Sequence, residues 1–70
     1  MAATVVIVDD HPTLRRFARR VLEESGFIVV GEAVDGASGI RSAVELRPTA
    51  VLLDVLLPDR SGLEVAAVLA

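Results

Sequence analysis

Seventy residues, 53% hydrophobic, 24% charged and without cysteine, describe one small domain, too apolar for a disordered tail and lacking any disulfide or thiolate metal site. A formal net charge of −3 makes no positive field for nucleic acid, no apolar run approaches the ~20 residues of a bilayer span, and the N-terminus lacks a secretion signal. A cytoplasmic chain that binds neither nucleic acid nor membrane is expected, and because so small a globule hides only about 60% of its unfolded surface, self-association is expected to support it.

In chain order the pattern is βαβαβα. Three runs rich in β-branched residues, VVIVDD from Val5, FIVVGEAV from Phe27 and AVLLDV from Ala50, predict strands near residues 4–9, 27–34 and 50–55. Their apolar positions are continuous rather than alternating, the habit of parallel strands covered on both faces. Between the first two runs, near residues 12–25, Leu14, Phe17, Ala18, Val21 and Leu22 make one helical stripe, with Arg15, Arg16, Arg19 and Arg20 opposite. Pro12 opens this helix and Gly26 closes it, and Arg19 and Arg20 precede Glu23 and Glu24 by four residues, the spacing of ion pairs on a solvated face.

A second helix is predicted near residues 36–47, with Asp35 as its cap, Ile40, Ala43 and Val44 facing inward, and Pro48 preventing continuation. A third is predicted near residues 62–70, where Ser61 and Glu64 have the spacing of a capping box. Leu63, Val65, Ala66, Val68 and Leu69 cannot all face one sheet, so this helix is expected to have a second contact.

Ligands of open α/β sheets collect beyond the carboxyl ends of the strands. The residues there are Asp9 and Asp10 after the first strand, Glu32 and Asp35 after the second, and Asp54 after the third. A sheet order of 2-1-3 sets the first and third strands about 4.8 Å apart and brings Asp9, Asp10 and Asp54 together. Carboxylates that close need a cation, and an oxygen donor set with few protein ligands suits Mg²⁺. The plainer alternative is that Asp9 and Asp10 only cap the first helix. His11, a lone imidazole, is read as a loop or first-turn residue beside this site rather than as a ligand.

VVIVDDHPTLRRFARRVLEESGF, VVGEAVDGASGI and RPTAVLLDVLLPDRSGLE together resemble the N-terminal half of the receiver domain of bacterial two-component response regulators. The acidic pair is joined by D-x-x-x-P-x-x-x-G-x-E, met by Asp54, Pro58, Gly62 and Glu64. The HP after the pair and the VVGEA-DG stretch resemble the subclass with a helix-turn-helix output domain. The resemblance implies an α/β, flavodoxin-like (βα)3 half over residues 1–70, with sheet order 2-1-3. It further implies Asp54 as phospho-acceptor, Mg²⁺ held by Asp9, Asp10, Asp54 and the Leu56 backbone carbonyl, and a sensor histidine kinase or small phosphodonor as partner. The arginine face of the first helix is then a candidate kinase-docking surface.

The family's switch hydroxyl and lysine have no counterpart in this sequence, which contains no lysine at all. Activity is therefore expected to be at most self-phosphorylation on Asp54. One alternative is a truncated or engineered half-domain that associates with itself without phosphotransfer. Another, the opening of a β/α barrel, shares the strand-end acids but not the D-x-x-x-P-x-x-x-G-x-E signature. A homodimer is expected through the third strand and third helix, because AVLLDV lacks the lysines, prolines and bulges that protect natural sheet edges.

Overall fold

The computed structural model describes residues 2–70. Its elements are β1 (Thr4–Val8), α1 (Pro12–Glu24), β2 (Ile28–Ala33), α2 (Gly36–Leu46), β3 (Ala50–Leu53) and α3 (Gly62–Leu69). The strands form one parallel sheet in the order β2-β1-β3. β1 is central, and its apolar run is buried on both faces: Val5, Val6, Ile7 and Val8 are each no more than 2% exposed. Burying such side chains contributes roughly 1.5–3 kcal/mol each, so β1 anchors the fold.

Val6 and Val8 lie on the α2 side of the sheet, packing with Ala33, Val30, Val51, Leu53 and Leu57, and Val65 of α3 is buried as well. Ile7 faces the other way, toward Ala18 of α1 and Leu52 of β3. The ladder continues past the strands on both sides of β1. Asp9 N donates to Ala33 O at 3.0 Å and Asp54 N donates to Val8 O at 2.9 Å, so both aspartates are fixed by their main chain at the carboxyl end of the sheet.

α1 opens on Pro12 and leads into Gly26, whose φ of 93° is open to a residue without Cβ, before Phe27 turns back into β2. α2 begins at a full capping box between Asp35 and Ser38 and stops at Arg47, which takes a left-handed conformation at φ 46° just before Pro48.

Several sequence expectations need correction. The stripe of α1 is not wholly inward: Phe17 is 64% exposed, and Leu14 and Val21 are exposed too. α1 lies over β1 and β2, and no described element covers the β3 side of that face, where Leu52 is also exposed. Val44, expected inward, is 64% exposed because α2 packs toward β2 and β1 and leaves this position on a groove beside β3. α3 has a contact with α2, but Leu63 and Val68 stay exposed. Ser61 caps α3 by accepting from Leu63 N at 3.1 Å, without the reciprocal Glu64 bond of a capping box. Its backbone pairs instead with Leu56 across the loop.

Candidate functional site

The parallel register of β1 and β3 pairs Val8 with Leu53, so the residues that follow, Asp9 with Asp10 and Asp54, leave the sheet side by side. One ligand atom from each of Asp9, Asp10, His11 and Asp54 lies within 4.8 Å of the others. The expected trio is therefore assembled, and His11 joins it. As the N-cap of α1, His11 has its ring Nδ1 2.9 Å from Asp9 Oδ1, 3.1 Å from Asp10 Oδ1 and 3.8 Å from Asp54 Oδ2.

The alternative that Asp9 and Asp10 serve as helix caps is not what the structure shows. α1 has no side-chain cap and no acidic residue in its first turn. Asp9 Oδ1 instead accepts from the backbone N–H of His11 at 2.8 Å and bonds the His11 ring at 2.9 Å. Burial pushes the Asp9 carboxyl up, and the His11 backbone and ring, helped by Arg15, more than offset it and leave it below the usual aspartate range. The His11 imidazole is raised, first by its hydrogen bond to Asp9 and then by the charge of Asp10, with Asp54 adding to both.

The loop after β3 holds Asp54 in place. Leu56 N donates to Asp54 Oδ1 at 3.2 Å, and Gly62 N returns to Val55 O at 2.7 Å. Gly62 is required here, because a Cβ at this position would overlap the Asp54 carbonyl oxygen. Leu56 itself projects into solvent at 79% exposure, beside the cluster and with no polar group to offer it.

Glu32 and Asp35, the other strand-end acids, go elsewhere. Glu32 takes Arg19 Nε at 2.7 Å and Arg15 Nε at 3.2 Å, and Arg19 followed by Arg15 holds its carboxyl down against the effect of burial. Arg15 also donates to the Asp9 carbonyl at 2.8 Å, which ties α1 to the site's backbone. Asp35 caps α2 by accepting from Ser38 N at 2.8 Å. Asp59 was not singled out from the sequence, yet it accepts from Gly36 N at 2.7 Å and Ala37 N at 3.0 Å and so docks the loop after β3 on the start of α2. No local pattern announces this bond, since its partners lie more than twenty residues away.

The donor set suits a hard divalent cation. Three carboxylates converge, and Asp10 Oδ1 is buried without a hydrogen-bond partner, an oxygen whose lone pairs the protein leaves unmatched.

The family model of the response regulator receiver domain matches residues 5–70. The chain belongs to that family. This receiver chain is 46% identical over 63 residues to the virulence factors putative positive transcription regulator BvgA of Bordetella pertussis, covering 90% of the chain and 30% of that protein. It is 43% identical over 63 residues to the nitrate/nitrite response regulator protein NarL of Escherichia coli, covering 89% of the chain and 29% of the relative. The chain thus spans about a third of the length of these curated relatives.

Among solved structures, the signal receiver domain of the putative response regulator NarL from Mycobacterium tuberculosis superposes with a TM-score of 0.93 at 38% identity, over 97% of this chain and 56% of that one. The response regulator domain of Thermotoga maritima CheB superposes with a TM-score of 0.88 at 29% identity, over 93% of this chain and 49% of that one. The α/β, flavodoxin-like arrangement with order β2-β1-β3 is that of the N-terminal part of a receiver.

Proposed function

We propose that this chain is a phospho-accepting receiver segment in two-component signalling, with Asp54 as the acceptor. The observation that carries the reading is the placement of Asp54: its carboxylate is steered by Leu56 N–H into a cluster shared with Asp9 and Asp10. In this reading an Asp54 oxygen attacks the phosphorus of a sensor kinase's phosphohistidine or of a small phosphoramidate. The P–N bond breaks, the leaving nitrogen takes a proton, and an acyl phosphate remains on Asp54. Asp9, Asp10, Asp54 and the Leu56 carbonyl are the residues to hold Mg²⁺, which supplies positive charge against the carboxylates and the phosphoryl oxygens. The setting is cytoplasmic, where the kinase's catalytic parts and the phosphodonors are found.

Incubation with a phosphoramidate-type donor and Mg²⁺, followed by intact mass and peptide mapping, tests this. One phosphoryl group on Asp54, absent in Asp54→Asn, is the expected result. A phosphoryl group that persists in Asp54→Asn contradicts the assignment.

We also propose that two copies associate through β3 and α3. The outer edge of β3 has no partner among the described residues, and the apolar side chains of Leu52, Leu63 and Val68 around it are exposed. Antiparallel pairing of two β3 edges makes a continuous six-stranded sheet under a two-fold axis. Sedimentation equilibrium at micromolar concentrations is expected to give twice the 7.4 kDa chain mass. Leu52→Lys is expected to restore the single-chain mass, and a dimer unaffected by that charge uses another surface.

A further inference from the structure

His11 is not among the metal-site residues that the receiver resemblance implies, yet its ring nitrogen stands at the centre of the acid cluster. A ring Nδ1 carries one hydrogen at most, and three carboxylate oxygens face it. That hydrogen is matched to Asp9 at 2.9 Å. Asp10 Oδ1 stays buried and unpartnered although the same nitrogen is 3.1 Å away. One N–H cannot satisfy this group of atoms, whereas a centre with several coordination positions can.

The spacings have the scale of such a centre. Around an octahedral ion with bonds of about 2.1 Å, adjacent ligand atoms are about 3.0 Å apart and opposite ones about 4.2 Å. Nδ1 is 2.9 and 3.1 Å from Asp9 and Asp10, as adjacent positions are, and its 3.8 Å to Asp54 falls between the two values. The course of the chain fixes the ring's location. His11 N is bonded to Asp9 Oδ1 at 2.8 Å, and Pro12 follows immediately at the first turn of α1.

We propose that His11 is a further protein ligand of this site through Nδ1, its one ring hydrogen then carried on Nε2 in place of the bond to Asp9, and that it sets the site's ion preference. The inference rests on the reading that Asp9, Asp10 and Asp54 hold a divalent cation. Carboxylates and a backbone carbonyl alone favour Mg²⁺, which keeps oxygen ligands and waters, while a neutral imidazole adds affinity for first-row transition ions and little for Mg²⁺. The site then discriminates between Mg²⁺ and an ion such as Co²⁺ or Mn²⁺ through a residue outside the phosphoryl chemistry. His11 is suited to this role because its ring is 58% exposed and carries no part of the core.

Calorimetric titration of the full chain with Mg²⁺ and with Co²⁺, above the imidazole titration range, tests the inference on the native protein, His11→Ala and Asp10→Asn. His11→Ala is expected to lose about tenfold or more in Co²⁺ affinity and to keep Mg²⁺ affinity within about threefold. Pulsed electron paramagnetic resonance of bound Mn²⁺ is expected to show nitrogen modulation in the native chain and none in His11→Ala. An unchanged Co²⁺ to Mg²⁺ ratio in His11→Ala, or tighter binding of both ions, overturns the assignment and makes the ring a bystander or a competitor. If the native chain binds neither ion, or Asp10→Asn binds both as well as the native chain does, the cation site itself fails. If Asp10→Asn loses both ions and His11→Ala keeps the native ratio, only the role of His11 fails.

Discussion

Asp35 and Asp59 at the N-terminus of α2 are each matched to two donors, whereas Asp9, Asp10 and Asp54 at the ends of β1 and β3 are only partly matched and Asp10 Oδ1 has none. Asp35 takes the N–H and hydroxyl of Ser38, and Asp59 takes the N–H groups of Gly36 and Ala37, so the otherwise orphaned donors of a helix start are used up by carboxylates. Both carboxyls fall below the usual range, Asp35 chiefly through the Ser38 hydroxyl and Asp59 chiefly through Gly36 N–H. In the strand-end cluster three carboxylates share the His11 N–H, its ring and Leu56 N–H, and Asp10 Oδ1 receives nothing. Both clusters sit at the same end of the sheet and consist of the same residue type. The satisfied aspartates serve the scaffold, and the deficit of donors is the feature on which the proposed cation site rests.

The comparison sharpens most at two glycines. Gly62→Ala sets a methyl against the Asp54 carbonyl, which is backbone and cannot step aside, and is expected to cost about 3 kcal/mol. Gly36→Ala, in the α2 cluster, meets the Arg60 methylenes, a flexible side chain that can swing away, and at 3.0 Å the buried Val65 methyl, which must give slightly, and is expected to cost about 1–2 kcal/mol. Thermal or urea unfolding of both variants checks the order, and equal losses would remove the distinction. A smaller effect is expected on the acid side. The depressed carboxyls of Asp35 and Asp59 stabilise the fold above the unfolded aspartate range of about 4, and that contribution is lost as pH falls through their lower folded values. Asp59→Asn is therefore expected to be less stable at neutral pH and to show a shallower acid limb in a plot of Tm against pH. An unchanged acid limb would mean that the α2 start does not depend on this charge.

The strand order and the meeting of Asp9, Asp10 and Asp54 were legible because continuous apolar runs require a buried parallel sheet and because residues at strand ends inherit the sheet's register. Long-range polar pairs were not. Asp59 with Gly36, and Glu32 with Arg15 and Arg19, join residues far apart in sequence, and nothing in the local pattern distinguishes them from a solvated charge. The i,i+4 spacing of Arg19 with Glu23 gave the right ion pair at 3.4 Å, yet the shorter bond of Arg19 runs to Glu32 across the fold. Helical periodicity identified the apolar positions Phe17 and Val44, but whether such a stripe is covered depends on which elements lie over it. His11 was read from its lack of histidine or cysteine companions, whereas its place in the cluster follows from Asp9 capturing its backbone N–H.

The most direct measurement of the difference between the two clusters is the melting temperature with and without Mg²⁺ in the native chain, Asp10→Asn and Asp59→Asn. A bound ion present at ten times its Kd adds about 1.4 kcal/mol of stability, which in a domain of this size raises Tm by at least ~5 °C. The native chain and Asp59→Asn are expected to show that rise, and Asp10→Asn is expected to lose it. A native Tm indifferent to millimolar Mg²⁺, or an equal rise in Asp10→Asn, would contradict the account.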